Sequence, residues 1–241
     1  MTLVRIFCVT VAFVFSVPAA MAGSATWNST KNTIYKKIHN NQGQTIYCQC
    51  DWSNRRTNLS SCGLQSAFEK KYNKRSKRTE VEHLHPISWF YKKNKSWRAC
   101  YIKAKELKTS ARKYCKDNDP EYRKAYMDMV NLRVSVGSIN AIRSNKPFVE
   151  KVRSGTPSFG SCKTRIDSRG IAPRPEIRGD LARVGFYLYE KYGLVPSTRQ
   201  QKLYAKWNAE DPIDRNEYET NVAIKKAQGF GNRFVLEYYG K

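Results

Sequence analysis

Apolar residues recur with helical spacing through much of this chain and alternate in strand fashion over only short stretches. Between residues 30 and 39, Ile34, Tyr35 and Ile38 form the apolar side of a helix. Thr45 to Trp52 (TIYCQCDW) alternates with period two and predicts a strand, followed by a loop from Ser53 to Ser61. Asp119-Pro120 sets an N-cap residue before a proline at the first helical position. Tyr122, Ala125, Tyr126 and Met129 follow at i, i+3, i+4 and i+7, which predicts a helix to about Leu132.

A second helical piece is predicted over Gly137 to Ser144, and Lys163 to Gly179, rich in Arg, Pro and Gly, reads as loop. Asp180 to Tyr192 is helical and stopped by Gly193; Ser197 to Gln200 (STRQ) resembles a capping box opening a helix to about Asn208. Asp211-Pro212 opens another, stopped at Gly229, and Phe234 to Tyr239 looks like a closing strand. No internal repeat or low-complexity linker interrupts the pattern. The expected class is α+β, helix-rich, with few strands.

The first residues stand apart. Arg5, the apolar run Ile6 to Val17 and the small residues around Ala20 and Ala22 have the layout of a secretory signal peptide. The run is well short of the roughly 20 residues of a membrane span, and no later segment is apolar enough to span. The expected organisation is a signal peptide over 1–22 and a single domain over 23–241, exported to the periplasm or secreted. The formal charge is +24, or +23 once Arg5 is removed. Such an excess favours polyanionic partners: nucleic acid, anionic polysaccharide or an anionic membrane surface. Glu69 to Arg78 (EKKYNKRSKR) holds six basic residues in ten, and Tyr91 to Lys116 holds ten against one Glu.

Of seven cysteines Cys8 leaves with the signal, and the even remainder in an exported chain implies three disulfides among fifteen possible connectivities. Chain proximity pairs Cys100 with Cys115 and Cys50 with Cys62, leaving Cys48 for Cys162. The spacing Cys48-x-Cys50, with no histidine nearby, does not suit a zinc site.

Chemistry concentrates in TEVEHLHPISWF, Thr79 to Phe90, which holds two of the three histidines. Neighbouring strand residues point to opposite faces, so Glu82 and His83 can share a target only at a strand end, and Pro86 makes such a break. A carboxylate ligates hard cations, and histidine suits proton transfer near neutral pH. GSINAIRSNKPF, Gly137 to Phe148, adds asparagines whose carbonyls are further hard-cation ligands.

A strand-end Glu-His with a helical Asn resembles the ββα-metal nucleases. The wider string resembles one family, the bacterial endonuclease I family of periplasmic and secreted nucleases. The matching segments are IYCQC (Ile46 to Cys50), EVEHLHP (Glu80 to Pro86), ARKYC (Ala111 to Cys115), and DPEYRKAYMDMVNL leading into GSINAIRSN. PRPEIRGDLAR (Pro173 to Arg183) and KAQGFGNRFV (Lys226 to Val235) complete the series over nearly the whole mature chain.

The resemblance implies a mixed fold around a basic cleft that contains a ββα-metal (His-Me finger) element. It implies His83 as general base, Arg112 as the phosphate-contacting arginine, and Glu82 and Asn140 as ligands of one Mg2+, for which Mn2+ or Ca2+ can substitute structurally. Lys74, Arg75, Lys77, Arg78, Lys113, Arg143 and Asn145 are the expected nucleic-acid contacts. His85 falls where the family usually has an apolar residue and is read as packing or a peripheral phosphate contact. Ala141 and Ile142 replace the family's Gly and Asp, and a C-terminal cysteine pair of some members is missing.

The implied activity is that of a largely sequence-nonspecific, Mg-dependent endonuclease. It would be a monomer acting on double- and single-stranded DNA and on RNA and leaving 5′-phosphates. The alternative from another class is a secreted cationic protein that binds DNA or a heparin-like polyanion without catalysis.

Overall fold

Helix-forming spacing along the chain is realised as helices wherever a cap and an apolar face coincide. The computed structural model describes residues 26–240, so the expected signal peptide lies outside the described residues. Helix α1 (Trp27–Thr33) opens at Thr26 and runs on as a π-helical turn, Ile34–Ile38, that buries Ile34 and Tyr35. Strands β1 (Gln42–Gln44), β2 (Asp51–Ser53) and β3 (Arg56–Thr57) make a small antiparallel sheet. Next come α2 (Asn73–Ser76), β4 (Thr79–His83), and the helices α3 (Ile87–Lys93), α4 (Lys95–Glu106), α5 (Ala111–Asn118) and α6 (Pro120–Met127). Strand β5 (Leu132–Val136) pairs with β4 and leads directly into α7 (Gly137–Arg143).

A two-stranded ribbon, β6 (Arg165–Ile166) with β7 (Ile171–Ala172), precedes the C-terminal helices. These are α8 (Arg178–Tyr192), α9 (Thr198–Glu210), α10 (Arg215–Gln228) and the single turn α11 (Arg233–Leu236). One continuous apolar cluster joins residues from α1 to α10, which supports the α+β class.

Four expected elements differ from the sequence expectation, and the loops expected over Ser53 to Ser61 and Lys163 to Gly179 hold the short strands β3, β6 and β7. The strand expected over Thr45 to Trp52 forms only at Asp51–Ser53. Thr45 to Cys50 is a turn instead, with Gln49 at φ 54° and the Cys50 amide donating to Thr45 Oγ1 at 3.0 Å. Tyr47, Cys48 and Cys50 are all buried there, so the alternation recorded disulfide anchoring and not a pleated face. The helix expected to reach about Leu132 stops at Met127. The buried Asp128 carboxylate gathers Tyr187 Oη (2.6 Å), Tyr192 Oη (2.7 Å), Gln228 Nε2 (3.0 Å) and the Val130 amide (3.0 Å), and these bonds draw the chain out of the helix and into β5.

The helix expected at Asp211 starts at Arg215, capped by Asp214, because Asp211 Oδ2 is already taken by the Gly179 amide at 2.7 Å. Phe234 to Tyr239 forms a helical turn capped by Asn232 and not a strand; among the described residues it has no partner strand.

Three disulfides, Cys48–Cys162, Cys50–Cys62 and Cys100–Cys115, coincide with the pairs read from chain proximity. The first closes a separation of 114 residues, and the third clamps α4 to α5. Thiol titration of the denatured mature protein is therefore expected to find no free cysteine. Loss of any one bridge should cost about 2–5 kcal/mol. Several reactive thiols in folded protein would refute this framework.

Candidate active site

The β4–β5 ladder runs from Thr79↔Val136 to His83↔Leu132, and α7 begins at the very next residue, Gly137. A Cβ at Gly137 would lie 2.6 Å from the Arg75 carbonyl, so only glycine lets α7 start this close to the segment before β4. At the other end the ladder continues beyond the strand. The Leu84 amide donates to the Asn131 carbonyl at 2.9 Å. The Asn131 side chain then acts as one more peptide group, accepting from the His85 amide (2.8 Å) and donating to the His85 carbonyl (2.9 Å). With its backbone groups satisfied in this way, the buried chain can bend toward Pro86. At this bend Glu82 and His83, adjacent in sequence, line the same cavity.

That cavity, about 910 Å³, is also lined by Asn140, Ser144 and Asn145 around α7, by Arg112, Lys113 and Lys116 of α5, and by Trp27, Arg75, Glu80 and Tyr126. His83 is half-buried, and its Nε2 lies 2.9 Å from the Tyr126 carbonyl oxygen. A carbonyl can only accept, so Nε2 carries the hydrogen and Nδ1 of the neutral ring keeps its lone pair. Burial, opposed by the Tyr126 carbonyl and helped by Arg112 and Arg143, lowers the His83 pKa to about 4, so the ring is neutral at pH 7.

Glu82 is buried at 2% exposure. Its Oε1 accepts from Tyr47 Oη at 3.0 Å and pairs with Arg143 Nη1 at 2.9 Å. Among the described residues its Oε2 is buried with no hydrogen-bond partner of good geometry; the Ser135 hydroxyl beside it donates to the Val136 carbonyl at 3.3 Å and also helps hold the carboxyl ionised. Burial pushes the carboxyl pKa up against the opposing pull of Arg143 and Tyr47. A buried carboxylate oxygen left unpaired is costly and marks a place for a missing positive partner.

Asn140 Nδ2 donates to Glu80 Oε2 at 3.1 Å, which leaves the amide oxygen as its ligating atom. Glu80 is in turn gripped by Arg75 and Arg78. Among the described residues no cluster of three or more His, Cys, Asp or Glu is arranged for a metal. A cation here would rest on Glu82 Oε2 and the Asn140 carbonyl, with water and phosphate oxygens completing its shell. That donor set fits Mg2+, which keeps several waters and takes one or two carboxylates with substrate phosphates.

The structure brings His83, Glu82, Asn140, Arg112, Lys113, Arg75, Arg143 and Asn145 to one cavity and leaves Lys74, Lys77 and Arg78 outside its lining. Arg112 is exposed and has no hydrogen bond or ion pair among the described residues, so its guanidinium is available to an anion. Arg143, expected to contact nucleic acid, is instead 1% exposed. It donates to the His83 carbonyl (2.8 Å) and the Leu84 carbonyl, pairs with Glu82 and stacks on Phe148, and so braces the strand end from inside. Lys74 and Lys77 are exposed and lie outside the cavity lining, and Arg78 is spent on Glu80 and also lies outside it.

His85 is buried, with Nε2 3.0 Å from the Leu181 carbonyl and Trp89, Phe148 and Tyr204 around its ring. Of the two readings for it, packing is the one realised. Sequence reasoning missed Glu80, Asn131, Tyr47 and Trp27. Only Glu80 had a signal, since residues 80 and 82 share one face of a strand.

Comparisons with known proteins place the chain in a family. The chain matches the Endonuclease I family over residues 26–237. It is 31% identical to Endonuclease-1 of Buchnera aphidicola subsp. Acyrthosiphon pisum (strain APS), over 84% of this chain and 77% of that protein. An extracellular deoxyribonuclease of Aeromonas hydrophila is 30% identical over 93% of this chain and 94% of its own. A periplasmic deoxyribonuclease of the same organism is 30% identical over 91% and 89%. Motifs, site geometry and near full-length similarity converge, and the chain belongs to the Endonuclease I family.

Proposed function

We propose that this protein is an exported, Mg2+-dependent endonuclease. It would act as a monomer on DNA and RNA with little sequence preference and leave 5′-phosphate ends. The observation that carries this reading is that Glu82, His83, Asn140 and Arg112, drawn from β4, α7 and α5, line one cavity. The succession β4, β5, α7 serves as the ββα-metal element, and Arg75, Arg112, Lys113 and Lys116 make the cavity its basic cleft. The relatives named deoxyribonucleases, one extracellular and one periplasmic, support DNA as substrate and export as destination. No helix among the described residues is long and apolar enough to cross a membrane.

His83 accepts the proton of the attacking water on Nδ1, the nitrogen the Tyr126 carbonyl leaves open. Arg112 holds a non-bridging phosphate oxygen through charge-assisted hydrogen bonds. Arg143 and Tyr47 hold the Glu82 carboxylate so that Oε2 faces its ligand position, and Glu80 does the same for the Asn140 amide. Held by Glu82 and Asn140, Mg2+ would supply positive charge for the phosphorane-like transition state and the departing 3′-oxygen. With Glu80 paired to Arg75 and Arg78, Glu82 is the one carboxylate left for a cation, and that with a protein base suits one metal ion better than two.

Supercoiled plasmid tests the reading. Nicking with Mg2+, its loss in chelator and 5′-phosphate termini are expected. Tight binding without nicking would instead favour a non-catalytic polyanion-binding protein, which the charge of +23 alone equally allows. Affinity should be mainly electrostatic. With His83→Ala protein in chelator, log affinity for duplexes of unrelated sequence should fall by about 0.9 per neutralised phosphate against log salt. Replacing Lys113 and Lys116 with glutamine should flatten that slope by about one per contact, alike for all sequences. A hundredfold preference for one duplex would count against it.

A further inference from the structure

The indole of Trp27, in the first turn of α1, lies parallel to the imidazole of His83, with 5.2 Å between centroids and 13° between planes. Tyr126 meets both rings edge-on, at 4.8 Å and 65° to His83 and at 5.2 Å and 77° to Trp27. Helix α1 is not loosely placed. A reciprocal capping box joins Thr26 and Ser29 (3.1 and 2.9 Å). The buried Thr30 hydroxyl, which bonds the Thr26 carbonyl at 3.0 Å, lies against Met127 Sδ at 3.4 Å, one residue beyond the carbonyl that receives His83 Nε2. Helix α1 and the acceptor of the histidine are thus brought together.

One hydrogen bond at Nε2 fixes one end of an imidazole but leaves the ring free to swing about that bond. A stacked indole removes this freedom, since offset-parallel rings hold a defined plane. Trp27 is only partly buried and lines the catalytic cavity, where a residue serving the core alone has no reason to be.

We propose that Trp27 is a positioning residue for His83. Its indole face sets the imidazole plane so that Nδ1 meets the attacking water. The proposal rests on the reading of His83 as the base.

In Trp27→Ala, kcat for plasmid nicking is expected to fall by about 10- to 100-fold while KM changes by less than about threefold, because misplacement of a catalytic group costs on the order of 10² in rate. Trp27→Phe, which restores an aromatic face, should recover most of the loss, whereas Trp27→Leu, with bulk but no π face, should not. If the alanine variant fails to fold, the Phe and Leu pair carries the comparison. With only three histidines in the chain, the His83 ring protons can be identified in the NMR spectrum by their absence from His83→Ala. They should show an upfield ring-current shift that survives in Trp27→Phe and disappears in Trp27→Leu.

An unchanged kcat in a folded Trp27→Ala or Trp27→Leu protein would overturn the proposal. So would a raised KM at constant kcat, which would make Trp27 a stacking surface for substrate bases. Nicking that survives in His83→Ala would overturn the assignment of the base, a failure distinguishable from that of Trp27 because the ring-current measurement needs no activity.

Discussion

Replacing His83 with alanine should lower the rate of plasmid nicking by about 10²–10⁴-fold, the usual contribution of a general base, with duplex binding in chelator nearly unchanged. The neighbour two residues on is expected to behave in the opposite way. His85→Ala should keep most of the activity of the folded enzyme and lose stability, since His85 fills an aromatic cage and bonds the Leu181 carbonyl.

The two roles also separate with pH. Burial lowers the His85 pKa to about 3, with Arg143 and Lys93 adding to the shift and the Leu181 carbonyl opposing it. An unfolded histidine titrates at about 6.5, so below that pH the unfolded chain binds a proton the native ring refuses. The stability due to a neutral His85 is therefore complete above about pH 6.5 and declines as pH falls toward 3. His85→Phe should flatten that part of the stability profile in urea titrations. If nicking persists in His83→Ala and vanishes in folded His85→Ala, the roles are reversed.

The second large effect concerns Arg143. Arg143→Met should destabilise the fold by about 3–5 kcal/mol, because it leaves the buried Glu82 carboxylate without its counter-charge. It also removes the donors to the His83 and Leu84 carbonyls, so activity should fall in the protein that still folds. Lysine is no substitute, lacking the planar fork that reaches the carboxylate and two carbonyls together. Most of the cost belongs to the stranded charge and not to the pair itself. The double variant Glu82→Gln/Arg143→Met should therefore recover part of the stability but none of the activity. Urea unfolding of the three proteins checks this; a loss below about 1 kcal/mol in Arg143→Met would show that water or a shifted side chain reaches Glu82.

The electrostatic surface follows similar logic. The run from Lys70 to Arg78 is the most cationic of the chain, yet its arginines are drawn to Glu80 and its lysines stay outside the cavity. Lys113 and Lys116 arise from a helix whose own sequence is no more basic, but which is placed on the cavity wall by the Cys100–Cys115 bridge and the α4–α5 pairing.

What the sequence determined by itself was local or combinatorial. The caps at Asp119 and Ser197 and the stops at Gly193 and Gly229 depend on a few neighbouring residues and were legible as such. An even set of cysteines with short separations left the long Cys48–Cys162 bridge as the remainder. Strand β5 was hidden because Met129 happened to continue a helical spacing, and only the bonds that Asp128 receives from α8 and α10 end the helix there. The roles of the two histidines and of Arg143 were likewise decided in three dimensions. Whether a ring or guanidinium meets solvent depends on what packs over it, and the covering groups come from Leu181, Tyr204 and Phe148, distant along the chain. Periodicity reports which face of an element is buried; it carries no information about which remote element buries it, and that choice is what separates the cavity-lining ring of His83 from the packed ring of His85.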